Sequence, residues 1–129
     1  MKGLNQVQLI GNLGGDPEMR FTPDAKSVTT FSLATTRKYK EISGDIKEDT
    51  TWHRVVTWQK LAETCNQHLN KGSLVFIQGR INNRTWEDDA GVKHYASEIV
   101  ANHVIFLEKK PVHAEEDELN LEPEAAILP

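Results

Sequence analysis

The chain has 129 residues, a length that fits one domain with its own core and makes disulfides or a structural metal unnecessary. Its single cysteine, Cys65, excludes an internal disulfide and any multi-cysteine zinc site. The net charge of −4 would argue against a polyanionic partner if it were evenly spread, but it is not.

The charge divides the chain into two parts. All 15 Lys and Arg residues lie within residues 1–110 beside 13 Asp and Glu residues, so this part is +2. Residues 111–129 hold the remaining six acids and no Lys or Arg, so they are −6. We predict a folded domain over residues 1–110 and a short disordered acidic tail over residues 111–129. A charge of +2 does not by itself indicate nucleic-acid binding.

The apolar residues give no sign of a membrane protein. No run approaches the roughly 20 apolar residues that a spanning helix needs. Residues 1–10 also lack the apolar core of a signal peptide. We therefore predict a cytoplasmic protein with no membrane partner.

Alternation of apolar and polar residues predicts a chain made mostly of strands. In chain order the predicted elements are strands over 7–11, 28–39 and 50–58, a helix over 60–69, and strands over 74–86 and 93–107. They are separated by turn residues at 14–17, a polar loop at 40–49 and a hairpin loop at 87–91 that contains Gly91. The helix places Leu61, Cys65 and Leu69 on one apolar face.

Three strands, one helix and two further strands is the order of elements in an OB-fold. That fold is a five-stranded Greek-key barrel with a helix between strands three and four. We therefore predict this all-β architecture, although other small β-barrels have the same number of strands. Phe31, Phe76 and Phe106 occur in apolar alternation and are predicted to lie in the core.

The third predicted strand carries the residues that point most directly to a function. Because side chains alternate along a strand, Trp52, Arg54, Val56 and Trp58 are predicted to share one face unless a bulge intervenes. Two indoles beside a guanidinium suit single-stranded nucleic acid, whose unpaired bases stack on aromatic rings while the cation meets a phosphate or a base. The competing interpretation is that both indoles belong to the core.

Two further rings lie among cations near predicted strand ends. Tyr39 follows Arg37 and Lys38, and Trp86 stands two residues after Arg84. A ring bordered by charges at a strand end is seldom deeply buried, which favours an exposed binding role. Phe21 and Tyr95 fit either a core or a surface position.

No constellation of residues predicts an enzyme. The five histidines are scattered, without the spacing of a metal or catalytic motif. Cys65 lies on the apolar helix face, where a buried inert thiol is expected rather than a nucleophile. The glycines at 11–15 lack the Lys-Ser/Thr of a phosphate-binding loop. We predict no enzymatic activity, no metal and no cofactor.

Several motifs in the same order resemble the bacterial single-stranded DNA-binding protein family. They are NQVQLIGNLG at 5–14, DPE at 16–18, FSLAT at 31–35, TWHRVV at 51–56, KLAE at 60–63, LNKGSLV at 69–75 and RTW at 84–86. The resemblance as a whole covers about residues 4–107. The resemblance implies an OB-fold that forms a homotetramer and binds single-stranded DNA without sequence preference in replication, recombination and repair. It also implies a nucleoid-associated location.

The resemblance assigns roles to individual residues. It implies that the bases stack on Tyr39, Trp52, Trp58 and Trp86. The family usually has tryptophan at the position of Tyr39 and often phenylalanine at that of Trp58, so each change replaces one ring by another. His53 matches a histidine near the subunit interface of the family. Arg37, Lys38, Arg54 and Arg84 are predicted to contact DNA from their place beside these rings.

The acidic end departs from the family pattern and leaves an alternative open. Family members usually carry a long linker and an acidic run with a terminal phenylalanine that recruits replication and repair proteins. Here residues 115–118 are acidic and the chain ends in AILP. A solvated acidic tail is the simpler interpretation. The alternative function is an OB-fold interaction module, a replisome adaptor with weak DNA binding. An RNA chaperone of the cold-shock type would need an RNP-like motif, which we do not find.

Overall fold

The computed structural model describes residues 1–107, which form six strands and one helix. In chain order these are β1 (Val7–Leu13), β2 (Glu18–Phe21), β3 (Ser27–Lys40), β4 (Ile46–Trp58), α1 (Gln59–His68), β5 (Leu74–Glu87) and β6 (Lys93–Phe106). The predicted tail at 111–129 lies outside the described residues, as does the predicted domain end at 110. No helix in residues 1–107 is long and apolar enough to cross a membrane.

Five of the strands close into a barrel. Their order is β1-β5-β6-β4-β3, and β1 also pairs with β3 through Asn12 and Leu13, which closes the ring. All pairs are antiparallel except β4 with β6. Because α1 stands between the third and fourth barrel strands, the predicted five-stranded OB-fold is confirmed. The short β2, which the sequence did not predict, pairs with the outer edge of β3.

The core consists of the inward-facing residues of the barrel strands and one face of the helix. Leu33, Val55 and Ile77 are fully buried at its centre. Cys65 of α1 and Leu69, which directly follows the helix, join the same cluster and Leu61 packs against it, as the helical spacing predicts. Ser27, Thr29 and Thr57 are also buried, and Thr29 donates a hydrogen bond to the carbonyl of Ala62 at 2.8 Å. The helix is thereby tied to the barrel by polar as well as apolar contacts.

Three details of the sequence prediction are wrong. The β3–β4 hairpin reaches further than expected, since β4 begins at Ile46 and the predicted loop at 40–49 shrinks to residues 41–45. Cross-strand pairing from Arg37 with Asp49 to Lys40 with Ile46 holds these mostly polar residues in strands. Phe106 is not in the core: it is the last residue of β6, is 37% exposed and lies against the ring of His68. Phe31 is buried, whereas Phe76 faces outward and is half-buried.

The buried thiol of Cys65 yields a prediction about reactivity. Burial raises the pKa of Cys65 to about 11, so the thiol stays protonated at neutral pH, and the thiolate is the reactive form. We expect Cys65 in the folded protein to resist a thiol reagent such as dithionitrobenzoate at pH 8 and to react fully in urea. Rapid labelling of the native protein would contradict the burial of this side chain.

Candidate nucleic-acid interface

The outer face of β4 carries the residues that the sequence grouped together. Trp52 is 62% exposed and Trp58 is 40% exposed, with the exposed Arg54 between them. The intervening His53, Val55 and Thr57 point the other way, and the last two are fully buried in the barrel. The strand therefore holds two accessible indoles and one guanidinium on a single face, and neither indole is a core residue.

Trp52 packs against the loop that joins β1 to β2. A Cβ atom on Gly14 would collide with Cζ3 of the Trp52 indole, so the ring packs on the glycine backbone. Gly14, Asp16 and Arg54 line a shallow depression beside the ring. One side of the indole is thus supported by the loop, while most of the ring remains open to a stacking partner.

A groove runs from β2 to β5 past Trp58. Its walls include Arg20 and Phe21 on one side and Trp58 and Arg84 on the other. Phe21, for which the sequence allowed either a core or a surface position, is 67% exposed and lies on the surface. Sequence reasoning missed Arg20 and Phe21 as candidate contacts because β2 was not predicted. The adjacent cation and ring in the Arg20-Phe21 pair are the signal that would have found them.

Trp86 lies in a stack on the β5–β6 hairpin. The guanidinium of Arg84 lies 4.6 Å from the centre of its ring, and His94 of β6 stacks on the indole at 5.4 Å between ring centres. His94 Nε2 is 2.9 Å from Asp88 Oδ2. This hydrogen bond and the backbone N–H of Val92 lower the pKa of Asp88, which keeps the carboxylate charged. The hairpin thus holds Trp86 against two cationic or polar partners and leaves the ring 41% exposed.

Tyr39 and Arg37 occupy a different surface from Trp52. Tyr39 pairs with Lys47 across the hairpin, and Arg37 pairs with Asp49. Both lie an even number of residues from Leu33 along β3, so their side chains leave the strand on the same face as Leu33, which points into the core. They therefore lie on the opposite face of the β3–β4 hairpin, beyond the end of the barrel. Arg37 lies over the Tyr39 ring at 4.6 Å and pairs with Asp49 at 3.2 Å.

The structure thus divides the predicted site. It brings together Trp52, Arg54, Trp58, Arg84 and Trp86 on one face, and it places Tyr39 and Arg37 on the other side of the hairpin. Lys38 has the parity of Trp52 and pairs with Glu48 at 3.9 Å. Tyr39 is the next residue after Lys38 in the same strand, and successive side chains of a strand point to opposite faces. Tyr39 therefore faces away from the side that carries Lys38 and Trp52.

His53 points away from the Trp52 face. It is half-buried, and its Nε2 lies 2.9 Å from Thr35 Oγ1. Burial lowers the pKa of His53, so the ring is neutral at physiological pH. In residues 1–107 no group of three or more His, Cys, Asp or Glu side chains is placed to hold a metal ion.

Comparison with known proteins decides the family. Residues 4–107 match the model of the Single-strand binding protein family, which is nearly all of the described chain. The chain belongs to the single-strand binding protein family. The matched range includes the barrel strands, the helix and the exposed face of β4 described above.

Two relatives show how close this membership is. The chain is 49% identical over 110 residues to Single-stranded DNA-binding protein 1 of Chlorobaculum tepidum, which covers 84% of this chain and 68% of that protein. Its fold is similar to that of the Plasmodium falciparum SSB solved in complex with ssDNA, with a TM-score of 0.76 and 31% identity. That alignment covers 84% of this chain and 98% of the other.

Proposed function

We propose that this protein binds single-stranded DNA without sequence preference and protects it during replication, recombination and repair. The observation that carries the proposal is the face of β4, where two exposed indoles flank Arg54. Rings accept any base, because every base has a π-face, and a guanidinium neutralises phosphate regardless of sequence. The related Plasmodium falciparum structure, which holds ssDNA, supports the same function. The proposed role is non-enzymatic and cytoplasmic.

The proposed DNA contacts come from both sides of the β3–β4 hairpin. Trp52, Trp58 and Trp86 would stack with bases on the barrel face, with Arg54 and Arg84 between them. Tyr39, Arg37 and Lys38 would engage the strand where it passes over the end of the hairpin. DNA that touches all of these groups must bend around the hairpin, because Tyr39 faces away from Trp52. Flexible single strands allow such a path, and duplex DNA does not.

Tryptophan fluorescence tests the proposed function. Titration with oligo-dT should quench the emission, because the bases stack on exposed indoles, and added salt should weaken the binding. A duplex of the same length should cause little change. The proposal fails if both emission and electrophoretic mobility stay constant across micromolar oligo-dT at low salt.

We further propose that the chain assembles as a homotetramer with His53 near a subunit interface. Within residues 1–107, β1 before Asn12 pairs only with β5, so one strand edge is open to another copy. Beside that edge, Ile10, Phe76 and Ile105 form a cross-strand row on the outside of the barrel. Ile10 is 57% exposed, an apolar surface that a second subunit would cover.

A charge introduced into this row tests the assembly. We expect Ile10→Glu to lower the mass measured by light scattering, because a carboxylate cannot be buried in an apolar interface without a partner. Ile42→Glu is the matched control, since Ile42 is exposed at the tip of the β3–β4 hairpin. The tetramer proposal is contradicted if the unchanged protein has the mass of a monomer.

The acidic residues 111–129 support a separate proposal about partners. We propose that they bind replication and repair proteins, with the adaptor function as the alternative for the whole chain. Removing residues 111–129 should leave oligo-dT binding intact or tighten it, because six competing negative charges are lost. The adaptor function instead predicts weak oligo-dT binding by the full chain and loss of partner capture after truncation.

A further inference from the structure

A buried carboxylate lies in the middle of the proposed DNA-binding face. Glu98 stands on β6, which runs between β4 and β5, and its side chain is only 9% exposed. Acidic side chains are almost never buried unless they are paired. An acid is also unexpected on a surface that attracts a polyanion. The position of Glu98 therefore needs a physical account.

Both carboxylate oxygens of Glu98 are engaged by neighbouring strands. Oε2 lies 3.4 Å from Arg54 Nε on β4 and 3.8 Å from Arg84 Nε on β5. Oε1 lies 3.5 Å from Nδ2 of Asn82, the β5 residue that pairs directly with Glu98. The two arginine side chains remain about half exposed, while the acid between them is covered.

We propose that Glu98 is a positioning residue for DNA binding. Its carboxylate holds Arg54 and Arg84 through their Nε atoms, and the three side chains together carry one net positive charge. The inference rests on the proposed function. A guanidinium has five N–H donors, and pairing through Nε leaves its terminal N–H groups for phosphate. Without the acid, two like charges that now share one oxygen would repel each other and separate.

The internal pairing has a measurable consequence for the effect of salt. For single strands, the logarithm of the binding constant falls with the logarithm of salt concentration with a slope of about −0.7 per neutralised phosphate. An arginine charge already balanced by Glu98 adds little to this slope. Replacing Glu98 by glutamine keeps the shape of the side chain but removes its negative charge, so one further arginine charge becomes available to neutralise phosphate.

The test is a salt series of oligo-dT titrations on the full chain and on Glu98→Gln. We expect the slope of Glu98→Gln to be steeper by about 0.7, so that a fourfold rise in salt weakens its binding about 2.6-fold more than that of the unchanged protein. Glu63→Gln is the matched control, because it removes the same charge from the exposed side of α1, and Glu63 is not among the residues that line the groove. Its slope should equal that of the unchanged protein.

A compensating pair of variants separates positioning from a purely structural role. Arg84→Gln should make the slope shallower by about 0.7, and Arg84→Gln combined with Glu98→Gln should restore it. A residue that only stabilised the barrel would change the melting temperature without this restoration. If Glu98→Gln does not fold, the comparison of Arg84→Gln with the double variant measures the same contrast.

The outcomes distinguish this inference from the function on which it rests. Failure of the unchanged protein to bind oligo-dT refutes the proposed function. Normal binding by the unchanged protein with the same slope in Glu98→Gln, or with an equal change in Glu63→Gln, overturns the role of Glu98 alone. A steeper slope in Glu98→Gln together with restoration in the double variant supports it.

Discussion

Replacing Trp52 by alanine should weaken oligo-dT binding by about 1–3 kcal/mol, which is roughly a 5- to 150-fold loss of affinity. The reason is that most of the Trp52 ring is open to solvent, so it contributes a stacking surface and little to the core. The ring also rests on Gly14, which fixes its orientation before DNA arrives. Fluorescence anisotropy of labelled oligo-dT measures the change directly.

Two controls make the Trp52 prediction specific. Trp52→Phe keeps an aromatic face and should retain most of the affinity, whereas alanine removes it. The midpoint of urea unfolding should change little in either variant, because surface substitutions usually alter stability by within about 0.5 kcal/mol. If Trp52→Ala unfolds the protein, the indole is a structural residue and its assignment to the DNA-binding face is wrong.

Replacing Gly79 by alanine should lower the free energy of unfolding by about 3 kcal/mol, at the upper end of what overpacking usually costs. Gly79 lies at a register shift in β5, where its pairing with β6 skips Asn102. An added Cβ would collide with the carbonyl oxygen of Val100 and come within 2.8 Å of Ala101 Cα. These are backbone atoms of the paired strand, so no side-chain rotation relieves the overlap.

Urea denaturation measures the effect of Gly79→Ala, with the m-value compared to confirm a two-state transition. Gly15→Ala is the matched control, because a Cβ at Gly15 meets no atom within 4 Å. We expect that control to unfold within about 0.5 kcal/mol of the unchanged protein. Equal stability of the two variants would show that the strands separate easily at the bulge and would refute the prediction.

The alternation pattern predicted the barrel well, because inward and outward side chains differ in polarity wherever one face is buried. The core positions Leu33, Val55 and Ile77 and the helix face of Cys65 follow from this rule. Three features did not follow. The strand ends around the β3–β4 loop are mostly polar on both faces, β2 has only four residues, and Phe106 is exposed at the last position of β6. In each case the structure depends on contacts with residues that are distant in the sequence, and the local pattern of apolar and polar residues does not predict those contacts.

The candidate site divides in the same way. Within β4, strand parity alone predicted that Trp52, Arg54 and Trp58 share a face. Parity cannot relate residues on different strands, and so Tyr39 was grouped with Trp52 although the cross-strand register places it on the opposite side of the hairpin. The same limit hid Glu98, whose significance depends on two arginines that are 44 and 14 residues away along the chain.

From the sequence alone it was possible to predict the family, the order of the five barrel strands and the helix, and which side chains of β4 share a face. These properties depend on local alternation and on motifs that are contiguous in the chain. Only the tertiary structure decided that β6 lies between β4 and β5 and so inserts a buried acid between Arg54 and Arg84. The physical reason is that charges interact through space, and strand neighbours are fixed by how the barrel closes.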